Sequence, residues 1–290
     1  MKDKQSFSTV PSQSRPGHLY IVATPIGNLR DITLRALDIL GTVDEILAED
    51  TRQIRKLLNA YDIKTPLTAY HDHNVAKKLP SIIKALQAGR ALALISDAGT
   101  PLISDPGFKL VRAAVQADLP VIPLPGASAV LAALVTAGLP SDSFTFCGFL
   151  PVKSAARKRQ LETLTSSAST LIFFETGPRI LASLSDMEQV LGNRAASVSR
   201  ELTKTYEEIR RGPLSDLLQS VRENPPRGEI VICVAPARAR EKWPPEQIDK
   251  ALKDLSGEMG LKRASAHIAE LSFWTKRDVY QRALQMQSDD

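Results

Sequence analysis

The residues with chemistry to offer sit where apolar runs end. Glu49 and Asp50 follow the strand read at 43–48, and Asp97 follows the run A-L-A-L-I at 91–95. A carboxylate in such a place acts as base or orienter toward a substrate, accepts a hydrogen bond from a ligand amine, or caps the element that follows. For Glu49 and Asp50 the alternative to a substrate role is capping or an ion pair with Arg52 or Arg55. Lys204, in L-T-K-T-Y-E, is a candidate phosphate contact or proton-handling group, or else a solvated lysine. His71-Asp72-His73 has an H-x-H spacing that suits a metal, yet no third ligand cluster stands out. Polar loop histidines are the plainer reading, and a substrate contact by His71 or Asn74 lies between the two. Lys153, Arg157, Lys158 and Arg159 place four basic residues within seven positions, with no acid among them, shortly after Phe149, an aromatic able to stack. Clustered charge of that kind is the electrostatic footprint of RNA phosphate binding; a solvated helix face is the alternative.

Three turn-rich loops must position this chemistry, at residues 24–28, 96–107 and 125–128. The central one holds two Gly, two Pro, two Ser, two Asp and a Thr. It follows one apolar run and precedes the helical spacing Phe108, Leu110, Val111, Ala114, Val115. A strand, a loop and a helix in that order build a ligand crevice at the carboxyl end of an α/β sheet. A loop of about twelve residues without structure of its own is uncommon and often functional. Backbone amides at Gly99-Thr100 and Gly126-Ala127 are placed to bind a carboxylate or a nucleotide-like ligand. Residues 96–101 read as the ligand contact, and residues 104–107 as the turn into the next helix. No G-x-G-x-x-G, G-x-x-x-x-G-K-[ST] or G-x-S-x-G is present.

The 290 residues suffice for two domains and a substantial core. Net charge is +5, a weak pointer to a polyanionic partner. Cys147 and Cys233 stand far apart in apolar runs, which suits two buried thiols in a reducing cytoplasm rather than a disulfide or metal spacing. No run of about 18 apolar residues offers a membrane span. Residues 1–17, rich in Ser, Gln and Lys, read as a disordered tail.

From residue 18 to Pro125 the pattern alternates strand and helix, predicting an α/β domain with a mainly parallel sheet covered on both sides. Residues 126–237 carry at least four more apolar runs, at 144–148, 170–175, 195–200 and 229–235, with helices between them; residues 202–212 read as charged. This makes a second α/β domain. Residues 238–290 hold three amphipathic helices and no strand, a small bundle or helix-turn-helix. Within residues 259–288, Lys262, Arg263, Lys276, Arg277 and Arg282 outnumber Glu270 and Asp278, so nucleic-acid contact and a solvated face are equally good readings.

The loops resemble those of the tetrapyrrole methylase superfamily. Within it, residues 22–36 (V-A-T-P-I-G-N-L-R-D-I-T-L-R-A), 48–52 (A-E-D-T-R), 96–107 (S-D-A-G-T-P-L-I-S-D-P-G), 123–129 (P-L-P-G-A-S-A) and 199–208 (S-R-E-L-T-K-T-Y-E-E) resemble the ribosomal RNA small subunit methyltransferase I branch. The resemblance runs from about residue 19 to 236, and the helical tail shares it. It implies a two-domain fold binding S-adenosylmethionine between the halves. The implied cofactor contacts are Pro25, Gly27, Asp97, Ala98, Gly99, Thr100, Pro101, Gly126, Ala127 and Ser128, with Glu175 lining the cofactor side or capping the next helix. Glu49, Asp50 and Lys204 are the candidate catalytic groups, and no metal is implied. The implied reaction is methylation of the ribose 2′-hydroxyl of a cytidine in the decoding region of 16S rRNA, free or in the 30S particle, by a homodimer. One departure counts against a porphyrinoid substrate. The first loop keeps a single glycine, and Ser96-Asp97-Ala98 stands where porphyrinoid enzymes commonly have Gly-Asp-Pro. A porphyrinoid methylase and a non-catalytic RNA-binding assembly protein are the competing readings.

Overall fold

The computed structural model describes residues 13–71, 74–237, 243–272 and 274–288. Residues up to Pro236 form one compact unit and those from Ala237 a second. The disordered-tail expectation for residues 1–12 lies outside the described residues. Ser14 is held, its N–H donating to Thr42 Oγ1 at 3.1 Å.

The first half of the larger unit alternates strand and helix as its sequence does. The strands are β1 (Leu19–Val22), β2 (Glu45–Ala48), β3 (Leu67–Ala69), β4 (Leu92–Ile95) and β5 (Val121–Leu124). Between them run α1 (Leu34–Thr42), α2 (Thr51–Ala60), α3 (Val75–Gln87) and α4 (Phe108–Gln116). The sheet order is β3-β2-β4-β1-β5, with every pairing parallel. Side chains alternate across it. Tyr20, Val22, Ile46 and Ile95 meet Ile39 and Leu40 of α1 and Ile54 and Leu58 of α2. Leu19, Leu47, Leu92 and Leu94 meet Ile82 and Leu86 of α3 and Leu110 of α4. Both faces of the central strands β1 and β4 are covered, which is why those two read as continuous apolar runs.

The second half is built differently. After α5 (Ala129–Ala137) come β6 (Phe144–Phe149), α6 (Ser154–Glu162), β7 (Thr170–Thr176), α7 (Ile180–Leu191), β8 (Ala195–Arg200), β9 (Glu208–Pro213), α8 (Leu214–Glu223) and β10 (Glu229–Val234). The order is β6-β7-β10-β8-β9. Only β6 and β7 run parallel. Residues 208–213, all but the last inside the stretch read only as charged, are an edge strand. One face packs Phe173, Val198 and Ile232 on α7 and α8. The other packs Ile172, Val231 and Cys233 on α5, with Leu202 and, from the first half, Ile26. The loop after β1 is thereby pinned to the second sheet.

The smaller unit is three helices, α9 (Pro245–Met259), α10 (Leu261–Ser272) and α11 (Lys276–Ser288). Ile248, Leu252, Ile268, Val279 and Ala283 form its core. Arg282 grips Asp249 through two nitrogens, and Trp274 Nε1–H donates to Trp243 O at 2.8 Å. Among the described residues no helix is long and apolar enough to cross a membrane.

Candidate active site

Parallel strands release their loops at one edge, and here the three loops are laced together. Thr24 and Gly99 exchange both backbone hydrogen bonds, at 2.8 and 3.0 Å. Thr24 Oγ1 donates to Ser96 O at 2.9 Å, and Thr100 Oγ1 donates to Ala127 O at 3.2 Å. Gly126 passes so close to Ala23 that a Cβ on it would sit 2.8 Å from the alanine methyl. A Cβ on Gly27 would fall 2.4 Å from Lys204 Cγ, so the first loop also abuts the β8–β9 connection. Asn28 N–H donates to Thr203 Oγ1 at 3.1 Å across the same seam.

The laced loops bound a cavity of about 330 Å³ between the two sheets. Of the sequence candidates, Asp97, Ala98, Gly99, Thr100, Ser128 and Glu175 line it. Ala127 takes the Thr100 hydroxyl, while Pro25, Gly27, Pro101 and Gly126 shape the loops behind it. The Gly99 amide is spent on Thr24 O, so it is not a free donor for a ligand carboxylate. Ser128 caps α5, its Oγ accepting the Leu131 N–H at 3.4 Å. The helix therefore aims its N-terminus, with the partial positive charge of that end, at the cavity.

Ionic partners separate the carboxylates. Asp97 Oδ1 accepts the Asp50 N–H at 3.0 Å, and partial burial with Asp50 nearby raises the Asp97 carboxyl above the usual range. Asp50 caps α2 by accepting the Arg52 N–H at 2.8 Å, which holds its own carboxyl low. Its side chain thus takes the capping role. Glu175 is 2% exposed and accepts from Thr176 N–H and Ser183 Oγ, with Arg179 Nε 3.3 Å away. Lys204 sits between Glu201 Oε1 at 3.0 Å and Glu229 Oε2 at 2.9 Å. Those carboxylates raise it above the ordinary lysine value against a lowering by burial, so it is a fixed ammonium and not a proton acceptor.

Sequence reasoning missed part of the cavity. Ile103, Ser104 and Asp105 line it, so the segment read only as a turn is part of the site. Burial, with Glu49 and Asp97 close by, pushes the Asp105 carboxyl up to about 7. Ser199, Glu229, Phe174 and Thr176 also line the cavity. Among the described residues the buried Ser199 hydroxyl has no hydrogen-bond partner.

The basic cluster is split. Arg157 is 3% exposed, with Nε 2.7 Å from Asp186 Oδ2 and Nη1 donating to the carbonyls of Pro151 and Val152. It is a structural ion pair, which corrects its placement among the RNA contacts. Lys158 leans on the same Asp186, at 3.5 Å, and on Gln189. Lys153 and Arg159 remain exposed. His71 receives Asn74 Nδ2 at 3.1 Å; Asp72 and His73 lie outside the described residues.

Comparison with known proteins agrees with this architecture. Residues 18–218 match the model of the tetrapyrrole (corrin/porphyrin) methylases, and residues 243–287 match the RsmI C-terminal HTH domain. The Mesorhizobium japonicum protein named ribosomal RNA small subunit methyltransferase I is 48% identical over 279 residues, covering 96% of this chain and 95% of that one. The protein of the same name from Escherichia coli O157:H7 is 46% identical over 290 residues, covering 99% and 100%. The solved structure of a uroporphyrin-III C-methyltransferase from Thermus thermophilus, complexed with S-adenosyl homocysteine, superposes with a TM-score of 0.53 at 17% identity, over 74% of this chain and 96% of that one. At that identity the likeness speaks for the fold alone. By the family model and by these relatives, the chain belongs to the tetrapyrrole methylase family, in its ribosomal RNA small subunit methyltransferase I branch.

Proposed function

We propose that this protein is an S-adenosylmethionine-dependent methyltransferase of small-subunit ribosomal RNA, acting on the 2′-hydroxyl of a cytidine in the decoding region. The observation that carries the reading is the near-full-length identity of 46–48% to relatives bearing that methyltransferase name.

The cavity suits the cofactor. Asp97 in its lining sets a negative charge against a cation, and Ile26, Val130, Phe174 and Val231 give apolar walls for a flat base. The α5 N-terminus faces a ligand carboxylate, and the Ser199 hydroxyl waits for a polar partner. When bound, the cofactor supplies a methyl group already activated on a sulfonium centre. The chain's own task is to hold the ribose oxygen in line, about 3 Å away, and to exclude water. Lys153 and Arg159, both exposed, supply phosphate contacts, and Phe149, 49% exposed at the cavity edge, offers a base a stacking surface.

The proposal includes a homodimer in the cytoplasm, acting on rRNA within the 30S particle. Leu131 and Val135, one turn apart on α5, are 51% and 75% exposed, an apolar pair that a second copy would cover.

The test is incubation of the purified protein with methyl-labelled cofactor and small subunits from a strain lacking this activity, with a porphyrinoid in parallel. Label is expected on one cytidine ribose. Label absent from rRNA ribose overturns the reading.

A further inference from the structure

We propose that the Asp105 carboxylate accepts the proton of the ribose hydroxyl that becomes methylated. This rests on the methyltransferase reading above and names the proton acceptor of that same site.

Asp97, Asp105, Glu175 and Glu229 are the carboxylates lining the cavity. Three are committed. Glu175 is saturated by Thr176, Ser183 and Arg179. Glu229 pairs with Lys204. Asp97 holds the Asp50 amide. Among the described residues Asp105 has no ion pair, and the Ser96 hydroxyl beside it already donates to Gly99 O at 2.8 Å. An acceptor needs a free lone pair and basicity near neutral pH: Glu175 is filled by donors, Glu229 is paired with an ammonium, and the Asp50 amide stabilises the Asp97 carboxylate, whereas Asp105 has, among the described residues, neither a cation nor a backbone amide against it.

Its position is also enforced. Ser104 before it adopts φ 64° and Gly107 beyond it φ 138°. A Cβ on Gly107 would lie 2.7 Å from Leu94 Cδ2, so the turn that carries Asp105 is packed against the sheet. The charged groups acting on it are Glu49, from the end of β2, and Asp97, from the end of β4. With burial they push it up to about 7, so near neutrality it both takes a proton and gives it up.

The step balances. The ribose oxygen bonds the methyl carbon with its own electron pair, the C–S pair stays on sulfur as a neutral thioether, and the hydroxyl proton passes to Asp105 Oδ. Solvent then removes that proton.

The experiment uses the full chain with 30S subunits and methyl-labelled cofactor. Asp105→Asn is expected to lower kcat by about a hundredfold or more, with KM for the subunit and calorimetric cofactor affinity within roughly threefold. Wild-type kcat/KM is expected to rise about tenfold per pH unit up to about 7 and then level off. Glu49→Gln should move that midpoint down, because it removes a like charge. Carbon-13 NMR of labelled aspartate carboxyls should show a group titrating near 7 that vanishes in Asp105→Asn. A wild type without ribose label overturns the function itself and this inference with it. An active wild type alongside an equally active Asp105→Asn overturns the inference alone. If Asp105→Asn loses cofactor affinity, the Glu49→Gln profile decides, and an unmoved midpoint overturns the proposal.

Discussion

Asp97 Oδ1 accepts the Asp50 N–H at 3.0 Å, and Asp50 Oδ1 accepts the Arg52 N–H at 2.8 Å. One carboxylate at the cavity mouth thus fixes the end of β2 and, through it, the first turn of α2. Asp97→Ala removes a charge facing the ligand, and the loss of the Asp50 N–H bond to a charged acceptor costs the fold about 1.5–3 kcal/mol. Calorimetry should show cofactor affinity weakened about tenfold or more. Unchanged affinity would take Asp97 out of the site.

Arg157→Ala leaves Asp186 buried without its main partner, and removing half of a buried pair costs about 3–5 kcal/mol. Its urea midpoint should drop sharply. The double variant Lys153→Ala/Arg159→Ala should melt like wild type but bind RNA with a shallower salt dependence, since each lost phosphate contact lowers the slope by about one. An identical salt slope would make both residues ordinary surface charges.

Gly126→Ala puts a methyl 2.8 Å from the Ala23 Cβ, where no flexible side chain can yield. The loops must part, at a cost of about 1–3 kcal/mol, and cofactor affinity should fall with stability. A variant as stable and as tight-binding as wild type would show that the lacing of the loops is slack.

Asp105 also predicts a pH effect on stability. Its folded value, about 7, lies above the ordinary 3.8, so the folded state favours the protonated form. Below pH 3.8 the carboxyl is neutral folded or unfolded. Between 3.8 and 7 the charge is progressively penalised only in the fold, and above 7 the penalty is complete. Asp105→Asn should therefore match wild type in thermal melts near pH 4 and be the more stable of the two at pH 8. A constant difference across that range would place Asp105 in water.

The parallel first sheet was legible because a strand buried on both faces is an unbroken apolar run, and β1 and β4 are such runs. The three loops were legible from turn residues alone. Asp105 was not, because S-D-P-G looks like any turn, and only folding brings it beside Asp97 and Glu49. Nor was Arg157, whose partner Asp186 lies 29 residues away on another helix. The strand β9 hid in E-I-R-R-G-P, a sequence with the charges and the Gly-Pro of a loop.

That last strand bears on how the molecule behaves in a crowd. β9 closes one edge of the second sheet, and an open edge offers its unpaired amides to any passing strand. Here Arg210 reaches back to Glu208 and to the carbonyls of Ser220 and Asn224, Arg211 is anchored on Thr136 O, and the strand ends in Pro213. Fixed charge and a residue with no amide hydrogen make a poor template. The features that disguised β9 as a loop are the ones that keep it from recruiting a neighbour into an aggregate.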